Sequence, residues 1–347
     1  MPGFKLCQHV CGCVLMATLL CAPTSLWAGP VEIKVAAVTP EGSAWVRVLR
    51  EMTAAVEEQT KGEIRFKIYP GGVSGDEADV LRKMQVNRIQ AAGFSGVGLG
   101  LILPELRVLE APLLFENNAE IDHARQALFE YFAKAFEDKG FILLGFVEGG
   151  WVYLFSRHNL AGEDGFAAAK MWVWQGDQVA ETFLNTFGVK TIPLNIADVN
   201  TGLETGMIDS FYAPPLAAVA FQWYTRVGHL LDYPMAGSTG ALLMTRRAFA
   251  ALPPGYQQIL RQTAAEYCQK LIESTRRDNA EALTVLKSRG VTFNRPTPAR
   301  IEQFKADARK TYTRSIPDLY PQALFDRLQD ELGRFRARSG AAPPAKP

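Results

Sequence analysis

The stretch Gly93-Phe94-Ser95-Gly96-Val97-Gly98 is where residue types and spacing come nearest to chemistry. A nucleophilic serine on a strand-to-helix elbow needs a glycine two residues before it and another two residues after it, because only then can the sharp turn expose the hydroxyl. Gly93 meets the first condition, but Val97 stands where the second glycine must be. The overlapping Gly96-Val97-Gly98-Leu99-Gly100 has two glycines of a dinucleotide fingerprint and lacks the third, since position 101 is leucine. What remains is a tight loop after a strand, beside a cleft.

Metal and acid-base chemistry fare no better. Beyond residue 28 the histidines are His123, His158 and His229, far apart and without Cys, Asp or Glu at ligand spacing, so no metal and no cofactor is expected. Four of the five cysteines, Cys7, Cys11, Cys13 and Cys21, precede residue 28, which leaves Cys268 as a core residue with no disulfide partner. With no placed Ser–His or carboxylate pair, the expectation is a protein that is not an enzyme and has no catalytic residues.

The N-terminal segment points to export. Lys5, the apolar run Val10 to Cys21 and the stretch Pro23 to Ala28 read as a signal peptide over residues 1–28, which implies a periplasmic protein. The chain has 37 basic and 36 acidic side chains, and Lys5 goes with the leader, leaving 36 of each. A neutral surface advertises no nucleic-acid partner. About 320 residues are left after cleavage, enough for two lobes with separate cores.

The elements that would position a site follow from periodicity. Val31 to Val38 reads as a strand, and Ser43 opens a helix with Trp45, Leu49, Met52 and Val56 on one face, stopped at Gly62. Glu63 to Tyr69 alternates as a strand, a helix follows from about Asp76 to Asn87, and Ile89 to Phe94 is a further strand. This β-α-β-α-β opening predicts a largely parallel sheet. A helix is expected from about Ala119 to Lys139 and a buried strand over Phe141 to Val147, after which a new unit starts. In that unit Trp151 to Phe155, Lys170 to Trp174 and Ile208 to Tyr212 read as strands, and Asp177 to Phe187 as a helix. Gly240 to Thr245 is a later strand, and Pro253-Pro254 opens a long helix to about Ser288.

Several segments, in this order, carry a family resemblance: Tyr69-Pro70-Gly71-Gly72, Pro104-Glu105-Leu106, Ala111-Pro112-Leu113-Leu114-Phe115, Lys139 to Phe146, Leu203 to Asp209, and Leu252-Pro253-Pro254. Together they resemble the DctP family, the solute-binding subunits of tripartite ATP-independent periplasmic (TRAP) transporters. The resemblance implies an α/β, two-lobed periplasmic binding protein fold, with hinge-connected lobes and a long inter-lobe helix. It implies a small-molecule ligand between the lobes and TRAP membrane permease subunits as partners. The corresponding division is lobe I over 29–150 plus about 236–280, lobe II over 151–235 plus about 281–336, and a disordered tail at 337–347.

The same resemblance exposes three departures. In most members an arginine in a Lys-Ile-Arg strand pattern forks a ligand carboxylate; here the segment is Lys170-Met171-Trp172-Val173-Trp174, and Trp172 stands in its place. Trp151 follows Gly149-Gly150 where another arginine is frequent, and Ala213 lies between Tyr212 and Pro214 where asparagine is. An indole offers a large apolar face and one N–H but no charged fork, so a subgroup taking an apolar or aromatic ligand is expected. The expected lining is Trp172, Trp151, Tyr212, Ala213, Trp174, Phe94 and Phe211, with Ser95 as a donor, Glu148 at the rim, and Trp45 reaching in or capping its helix. Two alternatives stay open: an organic-acid receptor using Arg107 or Arg157, and a hydrophobic-cargo carrier working with a helical-repeat periplasmic protein.

Overall fold

The computed structural model describes residues 29–162, 165–315 and 318–339. The leader expected over 1–28 lies outside the described residues, as do residues 340–347 of the expected tail, whereas 337–339 continue the final helix. No helix among the described residues is long and apolar enough to cross a membrane.

Ten strands carry the architecture: β1 (Val31–Ala36), β2 (Ile64–Tyr69), β3 (Ala91–Ser95), β4 (Phe141–Ser156), β5 (Lys170–Trp174), β6 (Lys190–Leu194), β7 (Ser210–Ala213), β8 (His229–Leu231), β9 (Ala236–Thr245) and β10 (Thr292–Asn294). The main path runs β2-β1-β3-β9-β4-β7-β5-β6, with β8 and β10 beside β4. One half, β1 to β3, is parallel with helices between, as the opening pattern predicts; the other pairs β5 in parallel with both β6 and β7. The helix Ala44–Gln59 begins where the Ser43 side chain accepts from Val46 N, and it buries Val48, Leu49, Met52 and Val56. The strand over Lys190–Leu194 escapes a sequence reading because Pro193 interrupts it; at the sheet edge the missing N–H costs no ladder bond.

Strand β4 joins the halves. The expected boundary near residue 150 falls inside a single strand, because Phe141 to Ser156 pairs with β9 up to Val152 and with β7 from Tyr153 onward. Two bulges break its alternation, one between Leu143 and Gly145 and one between Glu148 and Gly150, which is why two separate strands are read from the sequence. The helix expected over 119–139 is likewise two helices, Asn118–Ala127 and Phe129–Asp138, parted at the buried Leu128 without any glycine or proline to announce it.

The long helix Pro254–Ser288 has 35 residues and is about 52 Å long. It packs straight onto β4 at its bulges. A Cβ on Gly145 would lie 2.8 Å from Cys268 Sγ, and one on Gly150 would lie 2.5 Å from Asn279 Nδ2. Asn279 donates to Gly149 O at 2.9 Å and accepts from Leu216 N at 3.0 Å, so one side chain ties helix, bulge and the second half together. The last helix, Gln322–Ser339, departs from the expected division of the C-terminal segment. It packs on Asn118–Ala127 of the first half, where Arg336 Nη2 reaches Glu120 Oε2 at 2.7 Å and Phe335 stacks on His123.

Candidate ligand-binding site

Two adjoining cavities lie between the halves. The first, of about 150 Å³, is lined by Trp172, Trp174, Phe183, Tyr212, Phe221 and Trp223 together with Val152 and Leu154. Side chains alternate along β5, so Trp172 and Trp174 share the face opposite the buried Met171 and Val173. Trp172 stacks on Tyr212 with ring centres 5.4 Å apart and meets Trp223 edge-on at 5.2 Å. Both indole N–H groups are taken by the protein: Trp172 donates to Leu194 O at 3.0 Å, and Trp174 donates to Asp76 Oδ2 at 3.1 Å. These two indoles therefore present ring faces to the cavity.

A second cavity of about 160 Å³ is walled by Trp45, Phe94, Pro214, Glu77 and Glu148 and shares Ser95, Trp174 and Ser238 with the first. The glycine loop is what lets these walls close. A Cβ on Gly93 would fall 2.3 Å from the Trp45 ring, one on Gly96 would fall 2.0 Å from Glu110 Oε2, and one on Gly98 would fall 2.4 Å from Glu77 Oε2. The motif that looks catalytic serves close packing instead.

The charged groups of the lining are matched to one another. Arg107 Nη2 lies 2.7 Å from Asp177 Oδ1 and Arg107 Nε 2.8 Å from Glu110 Oε2. Asp177 also accepts from Tyr212 Oη at 2.5 Å and caps its helix by accepting from Ala180 N at 3.1 Å. Burial pulls the Arg107 pKa down, but Asp177 and Glu110 outweigh it and hold it above the ordinary value. Burial raises the Glu110 carboxyl in spite of Arg107, and burial followed by Asp177 raises the Tyr212 phenol well above its usual range. In the second cavity Glu148 is held between Arg125 at 2.6 Å and Arg276 at 2.8 Å. Glu77 accepts from Ser95 N, Ser95 Oγ and Gly98 N at 2.6 to 2.8 Å.

A cleft walled by rings, between two α/β halves crossed by one strand and backed by one long helix, suits ligand capture. The profile of the DctP family, bacterial extracellular solute-binding protein family 7, matches residues 35–317. The chain belongs to this family. It is 25% identical over 248 residues to the 2,3-diketo-L-gulonate-binding periplasmic protein YiaO of Escherichia coli, spanning 67% of this chain and 74% of that protein. It is 23% identical over 296 residues to the C4-dicarboxylate-binding periplasmic protein DctP of Rhodobacter capsulatus, spanning 83% and 87%. Among solved structures, a TRAP periplasmic solute-binding protein from Citrobacter koseri with bound D-glucuronate has a TM-score of 0.77 at 24% identity, covering 86% of this chain and 99% of that one. The sugar acid binding protein from Advenella mimigardefordensis in complex with galactonate has a TM-score of 0.83 at 19% identity, covering 88% and 99%. The architecture is that of the two-lobed TRAP periplasmic binding proteins, a family that binds small molecules and works with membrane permease subunits.

Set on the DctP fold, the residues named from sequence divide into four groups. Trp172, Tyr212 and Ala213 line the first cavity, Phe94, Trp45 and Glu148 the second, and Ser95 and Trp174 both. Trp151 and Phe211 line neither. Val152 and Leu154 face the first cavity, so alternation turns Trp151 away, and its N–H donates to Asn118 Oδ1 at 2.8 Å. Phe211 points opposite Tyr212 into the core, stacked on Phe155 at 4.7 Å. Ser95 is not the free donor expected, because its proton goes to the buried Glu77 carboxylate and its oxygen caps the next helix. Arg157 donates to the Leu203 and Arg226 carbonyls, outside the lining. The grouping of Arg107, Glu110 and Asp177 escaped the sequence, where only the capping position of Asp177 before Gln178–Asn185 leaves a local signal.

Proposed function

We propose that this DctP-family protein captures a small apolar or aromatic molecule, of the subgroup in which an indole replaces the carboxylate-binding arginine, and delivers it to a TRAP permease. The observation that carries this reading is the Trp172 face in the cavity, with its N–H already engaged by Leu194 O. A cavity of about 150 Å³ is of a size that takes a benzene-sized molecule. The lobes would close about the β4 and β9 crossing, with residues 29–150 and about 236–280 on one side and the rest of the middle third on the other. A helical-repeat partner belongs to the hydrophobic-cargo version of the same reading.

One observation favours a second reading. Arg107 also lines the first cavity, and relatives bind D-glucuronate and galactonate, so an acid could be held there if it displaced Asp177 or Glu110. Intrinsic tryptophan fluorescence and calorimetry separate the two. Neutral monocyclic aromatics are expected to bind saturably, and C4-dicarboxylates, sialic acid and D-glucuronate are not; micromolar binding of any of these acids would overturn the apolar assignment.

A further inference from the structure

The charge around the cleft is not balanced. Glu148 is neutralised by Arg125 and Arg276, with Asp122 completing that group, and Asp79 pairs with Arg82. What remains is acidic. Glu110 and Asp177 share Arg107, and Glu77 accepts from Ser95 and Gly98. Asp76 is met by uncharged N–H groups, among them Glu77 N at 2.8 Å and Trp174 Nε1 at 3.1 Å. With Glu77 and Glu110 both protonated, Asp76 and Asp177 still carry one more negative charge than Arg107 offsets.

The excess lies at the entrance. A larger space of about 500 Å³, lined by Asp76, Glu77 and Asp79 and open to solvent past the exposed Gln175 and Gly176, meets both cavities at Trp174. Negative potential in a low-dielectric cleft repels a carboxylate and draws in a cation.

Beyond the entrance the walls are aromatic. Trp174 and Phe221, both only partly buried, line the two cavities alike, and Trp172, Tyr212 and Trp223 add rings to the first. The face of each ring is electron-rich and attracts a positive charge without accepting a conventional hydrogen bond from it. The carboxylates of the first cavity are already engaged: Asp177 by Arg107, Tyr212 and Ala180 N, and Glu110 by Arg107 and Thr239 N. A primary ammonium would bring three N–H donors to walls made of rings, and leaving them unmatched is costly. A quaternary ammonium brings none and sheathes its charge in methyl groups.

We infer that the ligand is a quaternary ammonium compound, its methylated head held against the rings of Trp174, Phe221 and Tyr212 and drawn in by the uncompensated charge of Asp76 and Asp177. This rests on the apolar reading of the first cavity and gives the ligand of that reading, apolar at its surface, a positive charge.

Three probes of one shape isolate the charge: choline, its uncharged carbon analogue 3,3-dimethylbutan-1-ol, and the anion 3,3-dimethylbutanoate. Each is titrated by calorimetry into the full protein, Phe221→Leu and Asp76→Asn. Choline should bind at least about ten-fold more tightly than the alcohol, as a desolvated cation–π contact allows, and the anion more weakly than either. Leucine keeps apolar bulk and removes the ring; asparagine keeps the capping oxygen and removes the charge. Each should cut the margin of choline over the alcohol by about three-fold or more. An alcohol that binds as tightly as choline, or a margin that survives both substitutions, overturns the inference. If neutral aromatics bind and choline does not, the charge assignment alone falls. If D-glucuronate binds in their place, the apolar reading itself fails and takes the cation with it.

Discussion

Arg107 and Asp177 form a buried ion pair, 2.7 Å from Nη2 to Oδ1, between a turn of the first half and the helix cap of the second. Each has a further partner, Glu110 for the arginine and Tyr212 for the aspartate, so the pair is the middle of a chain that spans the cleft. Its members hold the first cavity's walls in register and keep the cavity's single lining arginine occupied.

Removing the cation from this chain leaves two carboxylates facing a low-dielectric wall. Arg107→Met is expected to lower unfolding free energy by about 3–5 kcal/mol. Adding Asp177→Asn should recover part of that loss, since it removes one of the stranded charges. Urea denaturation of the single and double variants checks both, and strictly additive effects would contradict the coupling.

The Trp172 ring has two duties that substitution can separate. Trp172→Phe keeps an aromatic face toward Tyr212 and removes one of the two donors to Leu194 O, which retains the Gln175 N–H at 3.2 Å. A stability loss of about 1 kcal/mol is expected, because Leu194 O stays satisfied, with affinity for neutral aromatics reduced but measurable. Trp172→Ala should abolish that binding and cost about 3–5 kcal/mol. Denaturation and fluorescence titration report the two effects independently.

Glu77 predicts a pH dependence. Burial, the largest cause, pushes its carboxyl from 4.5 up to about 7, against the pull of the bonds from Ser95 and Gly98. An acid whose folded value is raised holds its proton more tightly when folded, so its contribution to stability is complete below the unfolded value and is lost as pH rises through the folded one. Measured against Glu77→Gln, wild-type stability should therefore fall by about 3 kcal/mol between about pH 4 and about pH 8. Thermal melts of both proteins across that range suffice; a difference independent of pH would refute the assignment.

The glycine loop gives a graded set. Gly93→Ala, Gly96→Ala and Gly98→Ala each drive a Cβ to within 2.4 Å of Trp45, Glu110 or Glu77. Each is expected to cost about 1–3 kcal/mol. At Gly100 the nearest atoms, Cγ and Cδ of Arg107, are 3.1 Å away, a much milder contact than at the other three positions. Gly100→Ala should therefore change stability by less than about 1 kcal/mol, since helix propensity offsets the contact. Comparison of the four melting temperatures decides the matter.

How far the fold is legible depends on whether its signals are local. The amphipathic stripe of Ala44–Gln59 and the proline start of Pro254–Ser288 are written in consecutive residues, and both helices form as read. The continuity of β4 is not local: its second bulge at Gly149-Gly150 looks like a chain break until β9 pairs across it. The same bulge sets which residues face the cavity, and alternation then sends Val152 inward and Trp151 out.

By itself the sequence determined the α/β class, the family, and that the Lys170 to Trp174 strand contains no arginine, because each is a property of residue order alone. Only the tertiary structure decided that Trp172 meets the cavity with its N–H already engaged, that Ser95 gives its proton to Glu77, and that Arg107 is neutralised by Glu110 and Asp177. Those facts are partnerships of side chains with groups as many as 70 positions away. Hydrogen bonds and ion pairs depend on distance in space, and no spacing along the chain encodes them until the sheet halves have closed.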